Sequence, residues 1–160
     1  MGMLETAHLD TPIGILQITG NIEGVQTIEF IENGTEPSKD LSENTILAIS
    51  QLKSYFNKET TRFSFNMNPK GTEFQQKVWQ ELLQIPFGST KSYQQIANAL
   101  GDPKVIRAAA SANGKNPIAI AIPCHRVIGS NGSLTGYAGG LYRKKWLLDH
   151  ESGIIQGKLF

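Results

Sequence analysis

The chain has 160 residues, of which 39% are hydrophobic and 18% charged, a composition typical of a globular protein that can bury a sizeable core. No run of residues approaches the roughly 18 uninterrupted apolar residues of a membrane span. The N-terminal sequence MGMLETAHLD lacks the basic flank and apolar core of a secretory signal, so we expect a cytoplasmic protein. The only cysteine, Cys124, excludes an internal disulfide framework and a cysteine-based structural zinc site.

Charge is distributed unevenly between the two halves of the chain. Residues 1–68 hold 4 Lys/Arg and 9 Asp/Glu, a net charge of −5, whereas residues 69–160 hold 11 and 5, a net charge of +6. A basic C-terminal half is expected where a protein meets a polyanion such as nucleic acid, but a solvated basic surface has the same composition. Charge alone leaves both interpretations open.

The first half of the chain has the pattern of short strands around one helix. IGILQITG (13–20) and GVQTIEFI (24–31) alternate apolar and polar residues and predict a β-hairpin, and TRFSFNM (61–67) predicts a returning strand. NTILAISQLKSYFNKE (44–59) predicts a helix. Its apolar residues at helical spacing are Ile46, Ile49, Leu52, Tyr55 and Phe56.

The NPKG turn (68–71) is the predicted boundary between an N-terminal α/β supporting domain, residues 1–68, and a C-terminal domain, residues 69–160. In the second part, TEFQQKVWQELLQI predicts a helix with Thr72 as its N-cap. IAIAIPCHRVIG (118–129) predicts a strand, and RKKWLLDHES (143–152) predicts the last helix.

Two short helices lie between these elements. TKSYQQIANALG predicts a helix closed by Gly101, and DPKVIRAAASANGKN predicts a second helix with Asp102 as N-cap and Pro103 at its first position. Short helices joined by a tight glycine-containing turn are typical of a helix-turn-helix. In the second helix Arg107 precedes a run of small residues, 108–112, which suits close helix packing and equally suits a helix lying against DNA.

The run IPCHRV (122–127) resembles the cysteine motif of the O6-alkylguanine-DNA alkyltransferases, also called methylated-DNA–protein-cysteine methyltransferases. The upstream SYQQIA and NP and the downstream GYAGG and WLLDHE also resemble that family, in its order, so that the resemblance extends over residues 72–151. It implies an α/β N-terminal domain, ribonuclease-H-like in the family, followed by a mostly α C-terminal domain with a helix-turn-helix of winged-helix type.

The resemblance implies direct-reversal DNA repair. The alkyl group of O6-alkylguanine in double-stranded DNA passes to the protein's own cysteine, irreversibly and once per molecule. We also expect a monomer that needs no cofactor, and we expect no metal because the N-terminal zinc ligands of some relatives are absent from this chain. Whether O4-alkylthymine is a second substrate, which alkyl groups are accepted and whether binding to DNA is cooperative are left open by the sequence.

The resemblance also implies the site residues. Cys124 matches the alkyl acceptor, His125 the base that acts through a water molecule, Glu151 the carboxylate that orients the imidazole, and Asn116 a hydrogen-bonding support. An ordinary thiol has a pKa near 8.5 and is only slightly ionised at neutral pH, so it needs such help. Neighbouring residues of a regular strand point to opposite faces, so a water relay or a turn at Cys124 is required.

A lesion inside a duplex must be rotated out of the base stack before a protein nucleophile reaches it. Arg107 matches the residue that fills the vacated position, and Tyr93 matches a tyrosine that crowds the target phosphate and donates to the base. Further matched positions contact DNA or read the base through their backbone: Gln94, Ser111 and Ser130 for DNA, Val127 and Ala138 for the base. Ala138 stands where some relatives have serine, and Asn113 where others have a larger apolar residue.

Other functions share some of these features. A lone cysteine is more often an inert buried residue than a nucleophile, and His8 and His150 have no link to the motif. A DNA-lesion binder of the same architecture lacks the acceptor thiol, which this chain retains. A cysteine hydrolase turns over repeatedly and usually carries its nucleophile on a helix, and a helix-turn-helix regulator has no use for the cysteine motif.

Overall fold

The computed structural model describes residues 3–34 and 36–153. The chain divides into two compact units, Met1–Lys70 with Pro117–Ala121 and Gly71–Asn116 with Ile122–Phe160. The return of residues 117–121 to the first unit is not apparent from the sequence. None of the helices in the described part of the chain has both the length and the apolar character that crossing a membrane requires.

The first unit is built on a three-stranded antiparallel sheet. The strands are β1 (Glu5–Thr11), β2 (Gly14–Asn21) and β3 (Gly24–Ile31), in the order β1-β2-β3. The predicted hairpin is confirmed as β2 and β3, whereas β1 was not predicted. Leu16 and Ile18 alternate along β2 and are fully buried, as expected for a strand with one face on the core.

Helix α1 (Glu43–Phe56) packs on this sheet with a face that coincides with the predicted one at Leu52 and Tyr55 and differs from it elsewhere. Thr45, Ala48, Leu52 and Tyr55 are fully buried, while Ile46 is 53% exposed. Small residues on the inner face allow the helix to approach the sheet closely, and this rotation leaves Ile46 in solvent.

The predicted strand at 61–67 is wrong except for a single bridge from Met67 to Val25. The side-chain amides of α1 take the hydrogen bonds that a partner strand would have made. Gln51 accepts from the backbone N–H of Ser64 at 2.8 Å, and Asn44 accepts from the backbone N–H of Asn66 at 2.8 Å.

The second unit begins with helices whose ends follow from their capping residues. Thr72 and Gln75 form a capping box at the start of α2 (Glu73–Leu82), and Ser92 and Gln95 form another at α3 (Tyr93–Ala99). A 3-10 turn at Pro103–Val105, capped by Asp102, leads into α4 (Ile106–Gly114). These predicted helices are confirmed.

Helices α2 and α4 pack around Trp79. The indole is buried, and its Nε1–H donates to the carbonyl oxygen of Ala112 at 2.9 Å. Ala109 and Ala112 face this contact and are buried, whereas Arg107, Ala108 and Ser111 are exposed. The small residues therefore allow close helix packing on one side of α4. On the exposed side, the short side chains of Ala108 and Ser111 project little from the helix.

The predicted strand at 118–129 is wrong except for a single bridge from Ile118 to Ile28 and for its last residues, Val127–Ile128. Residues 119–124 turn tightly, with hydrogen bonds of 2.8 Å between residues two apart, and Ile120 has φ of +72°. Pro117 and Pro123 lack the N–H that a strand ladder needs. A 3-10 turn at Cys124–Arg126 follows, and only Val127–Ile128 form a strand, β5, parallel to β4 (Lys91–Ser92). Helix α5 (Leu141–Ser152) ends at Gly153 with φ of +82°, a left-handed conformation that glycine adopts readily.

Candidate active site

Cys124 is the first residue of the 3-10 turn and is 8% exposed. The side chain of Asn116 hydrogen bonds the thiol, and its Nδ2 also donates to the carbonyl oxygen of Ile122 at 2.7 Å. Asn116 therefore fixes the backbone that leads into the cysteine as well as the sulfur itself.

The resting thiol of Cys124 is held in its protonated form. Burial raises its pKa above the ordinary value, although the hydrogen bond from Asn116 and the positive charge of Lys144 act in the opposite direction. A nucleophile with this environment must lose its proton during the reaction rather than before it.

His125 and Arg126, the next two residues of the turn, both contact Glu151 on α5. His125 Nε2 lies 2.7 Å from Glu151 Oε2. The guanidinium of Arg126 grips the same carboxylate in bidentate fashion, with Nε to Oε1 at 2.7 Å and an Nη atom to Oε2 at 3.0 Å. Its other Nη donates to the carbonyl oxygen of Ile85 at 2.7 Å. All three side chains are almost fully buried.

The charges of this cluster follow from its contacts. Burial alone would raise the pKa of Glu151, but the hydrogen bond from His125 and the ion pair with Arg126 lower it to about 2. Burial lowers the pKa of His125 below its ordinary value, against the pull of Glu151. The imidazole is therefore neutral and donates from Nε2 to the carboxylate. Its Nδ1 is buried without a hydrogen-bond partner among the described residues and is the atom free to accept a proton.

A cavity of about 380 Å³ lies in the second unit and is within the size range of small-ligand pockets. Its walls come from α3, α4 and the loop before α5, and are formed by Tyr93, Ala110, Asn113, Gly114, Thr135, Gly136, Tyr137 and Ala138. In the described part of the chain, Oδ1 of Asn113 and the hydroxyl of Tyr137 are buried without hydrogen-bond partners. Both residues belong to the cavity wall, and these two polar atoms lie buried within it.

A basic surface is formed by the exposed side of α4 and the turn before it. Lys104, Arg107, Ser111 and Lys115 are exposed along it. Gln94 lies nearby on α3, where its Nε2 donates to Asn98 Oδ1 and to the carbonyl oxygen of Pro103, both at 3.1 Å.

Among the residues that the resemblance implies, Asn116 contacts Cys124 and Glu151 contacts His125, the next residue in the chain. Tyr93 and Ala138 lie on the cavity wall, and Val127 is buried directly after the turn. Ser130 is exposed in the following turn. His150 is buried and stacks on Trp146 at 4.8 Å between ring centroids, so it serves packing.

Sequence reasoning missed four residues of this region: Arg126, Thr135, Tyr137 and Lys144. Arg126 lies inside the quoted motif, and a buried arginine requires a carboxylate partner, which is a signal that could have found it. Lys144 is buried on α5 although its neighbours in sequence are charged, and no pattern identifies it. Within residues 3–34 and 36–153, no three His, Cys, Asp or Glu side chains are grouped to hold a metal ion.

Comparison with known proteins extends the resemblance to nearly the whole chain. A family model described as "6-O-methylguanine DNA methyltransferase, DNA binding domain" matches residues 73–153. The chain is 46% identical over 153 residues to the methylated-DNA–protein-cysteine methyltransferase of Mycobacterium leprae, which covers 93% of both.

Solved structures are also similar to this chain over most of its length. A crystal structure of the Mycobacterium tuberculosis O6-methylguanine methyltransferase matches with a TM-score of 0.85 at 43% identity, covering 96% of this chain and 95% of that one. The Mycobacterium tuberculosis OGT protein in complex with DNA matches with a TM-score of 0.82 at 43% identity, covering 91% of each. The expected mixed α/β class is confirmed. The chain belongs to the methylated-DNA–protein-cysteine methyltransferase family.

Proposed function

We propose that this chain repairs DNA by direct reversal, transferring the alkyl group of O6-alkylguanine in duplex DNA to its own Cys124. The observation that carries the proposal is a buried thiol that Asn116 hydrogen bonds and that is followed in the same turn by His125, which forms a buried pair with Glu151. Guanine lesions are the proposed principal substrate, and O4-alkylthymine is the substrate class to be assayed beside them.

The chemistry begins with the thiol. As the extruded base enters, the proton of Cys124 passes through a water molecule to Nδ1 of His125, and the Glu151 carboxylate stabilises the imidazolium that forms. The sulfur then attacks the alkyl carbon. The new S–C bond forms as the bond from carbon to O6 breaks, and the electron pair stays with the guanine, which takes up a proton. Tyr93 donates a hydrogen bond to the leaving base.

The product explains why one molecule acts once. A thioether resists hydrolysis because a thiolate is a poor leaving group from an alkyl carbon, and the chain has no second cysteine to receive the alkyl group. We therefore propose a single turnover with no cofactor.

The basic surface of α4 is the proposed contact with DNA. Small exposed residues beside Arg107 suit a minor groove, which is narrow, and Arg107 would occupy the space that the extruded nucleotide leaves. Gln94, Ser111 and Ser130 are proposed phosphate contacts, and the backbone of Val127 and Ala138 would read the base. We propose that α3, α4 and the β4–β5 pair correspond to the family's winged-helix type, that the first unit is a supporting domain of ribonuclease-H-like class, and that the protein acts as a monomer.

Intact-mass measurement after incubation with duplex DNA containing O6-methylguanine tests this function. We expect the protein to gain the mass of one CH₂ unit, located at Cys124, with no gain in Cys124→Ser. A lesion binder, a hydrolase or a regulator gains nothing. Titration with excess substrate gives the stoichiometry, and more than one methyl group removed per molecule contradicts a single turnover.

A further inference from the structure

Thr135, on the cavity wall, contacts two side chains at once. Its hydroxyl donates to the phenol oxygen of Tyr93 at 3.0 Å, and its carbonyl oxygen accepts from Nζ of Lys144 at 2.7 Å. The Lys144 ammonium also lies 5.9 Å from the centre of the Tyr93 ring. Tyr93, on α3, and Lys144, on α5, are therefore joined through one loop residue.

The direction of the first hydrogen bond decides what the phenol can do. A phenol oxygen that accepts from Thr135 keeps its own proton for another acceptor. Accepting a hydrogen bond also polarises the O–H group and strengthens the bond that it donates in turn. Tyr93 and Thr135 both line the cavity, so a group that enters the cavity can accept the hydrogen bond of the phenol.

The second contact holds the loop that carries Thr135. Lys144 is fully buried on α5, and its ammonium is tied to the Thr135 carbonyl. A buried cation needs such a partner, since an unpaired one is costly. Lys144 therefore anchors the backbone of Thr135, and this anchor supports the position from which the Thr135 hydroxyl reaches Tyr93.

We propose that Thr135 is a positioning residue that sets Tyr93 as a hydrogen-bond donor to the extruded base. This inference rests on the proposed function, because it assigns Tyr93 to the leaving base. Negative charge develops on the purine as the bond from carbon to O6 breaks, so a donor aimed at the ring is worth more in the transition state than before it. Thr135 acts on the rate of transfer through Tyr93 and not on the binding of DNA.

Single-turnover transfer from duplex O6-methylguanine tests this role in Thr135→Val, which keeps the shape and removes the hydroxyl. We expect a loss of about five- to tenfold in the transfer rate, the value of one hydrogen bond, with DNA affinity unchanged. Thr135→Ser retains the hydroxyl and should stay within about twofold of the wild type on the same grounds. Thr61→Val, an exposed threonine of the first unit, is the matched control and should leave the rate unchanged.

A double-mutant cycle separates positioning from a structural effect. In a Tyr93→Phe background, Thr135→Val should cause no further loss, because the hydroxyl that it orients is gone. An equal loss in both backgrounds overturns the proposal, as does a Thr135→Val protein that transfers at the wild-type rate. A wild type that transfers nothing overturns the proposed function as well, so the two failures are distinguishable.

Discussion

Glu151 lies 2.7 Å from His125 through Oε2 and 2.7 Å from Arg126 through Oε1, with its side chain 1% exposed. One carboxylate therefore compensates a buried guanidinium and fixes the tautomer of the imidazole beside the cysteine. The residues that follow Cys124 in the chain are tied to α5 by this single side chain. Glu151 contributes both to the stability of the fold and to the proposed transfer reaction, and variants can separate the two effects.

Glu151→Gln leaves the Arg126 guanidinium buried without a compensating charge. We expect a loss of about 3–5 kcal/mol in the free energy of unfolding, measured by urea denaturation, because removing one partner of a buried ion pair is strongly destabilising. Transfer should also slow, since the imidazolium of His125 loses the charge that stabilises it.

The double variant Glu151→Gln with Arg126→Met separates the two effects. Removing both charges should recover most of the stability and none of the transfer rate. Asp149→Asn is the matched control, because Asp149 pairs with an exposed Lys145 and should cost no more than about 1 kcal/mol. Recovery of transfer by the double variant would show that Glu151 acts only through Arg126.

The same cluster makes the fold acid-sensitive. His125 has a folded pKa below its ordinary 6.5, so the unfolded chain binds that proton first and stability falls as the pH drops below about 6.5. Glu151 has a folded pKa of about 2 against an ordinary 4.5. The contribution of Glu151 to the free energy of unfolding is fully present above about pH 4.5 and is lost as the pH falls from there towards 2.

Urea denaturation across the pH range measures these two declines. His125→Gln keeps a donor for the Glu151 carboxylate and should remove the decline below pH 6.5, while the decline below pH 4.5 remains. A wild type whose free energy of unfolding rises between pH 6.5 and pH 5 is incompatible with a neutral, buried His125.

The thiol of Cys124 is sensitive to the charge of Lys144. That charge lowers the thiol pKa, so Lys144→Met should shift the pH profile of cysteine alkylation by a small reagent such as iodoacetamide to higher pH. Lys145→Met is the control, because Lys145 is exposed and pairs with Asp149. Identical profiles for the two variants would mean that Lys144 exerts no influence on the sulfur.

Local sequence rules succeeded where a single residue determines the outcome. Thr72 and Ser92 cap helices through their own side chains, and Asp102 with Pro103 begins the turn into α4. The resemblance to a family supplied the site residues that lie far apart in sequence. Neither the capping rules nor the family resemblance requires knowledge of the tertiary contacts.

Sequence rules failed where tertiary contacts override periodicity. The apolar run at 118–122 resembles a strand and bridges Ile28 at Ile118, but the chain then turns at Ile120, where φ is +72°. The alternation at 61–67 also predicted a strand wrongly, because side-chain amides of α1 accept the hydrogen bonds of its backbone N–H groups. Lys144 and Thr135 were missed because a buried lysine and a loop threonine carry no pattern in one sequence.

Arg107, exposed on α4, should matter only where a base has to be extruded. We expect Arg107→Ala to slow transfer from O6-methylguanine in duplex DNA by about tenfold or more, since unstacking a base costs a few kcal/mol and the side chain stabilises the extruded state. Transfer from the free base, O6-methylguanine or O6-benzylguanine, should be unchanged, because nothing is extruded. Lys115→Ala is the comparison: removing this exposed cation should weaken binding to all DNA sequences alike and reduce the salt dependence of binding. Equal losses on duplex and free base would refute the assignment of Arg107 to base extrusion.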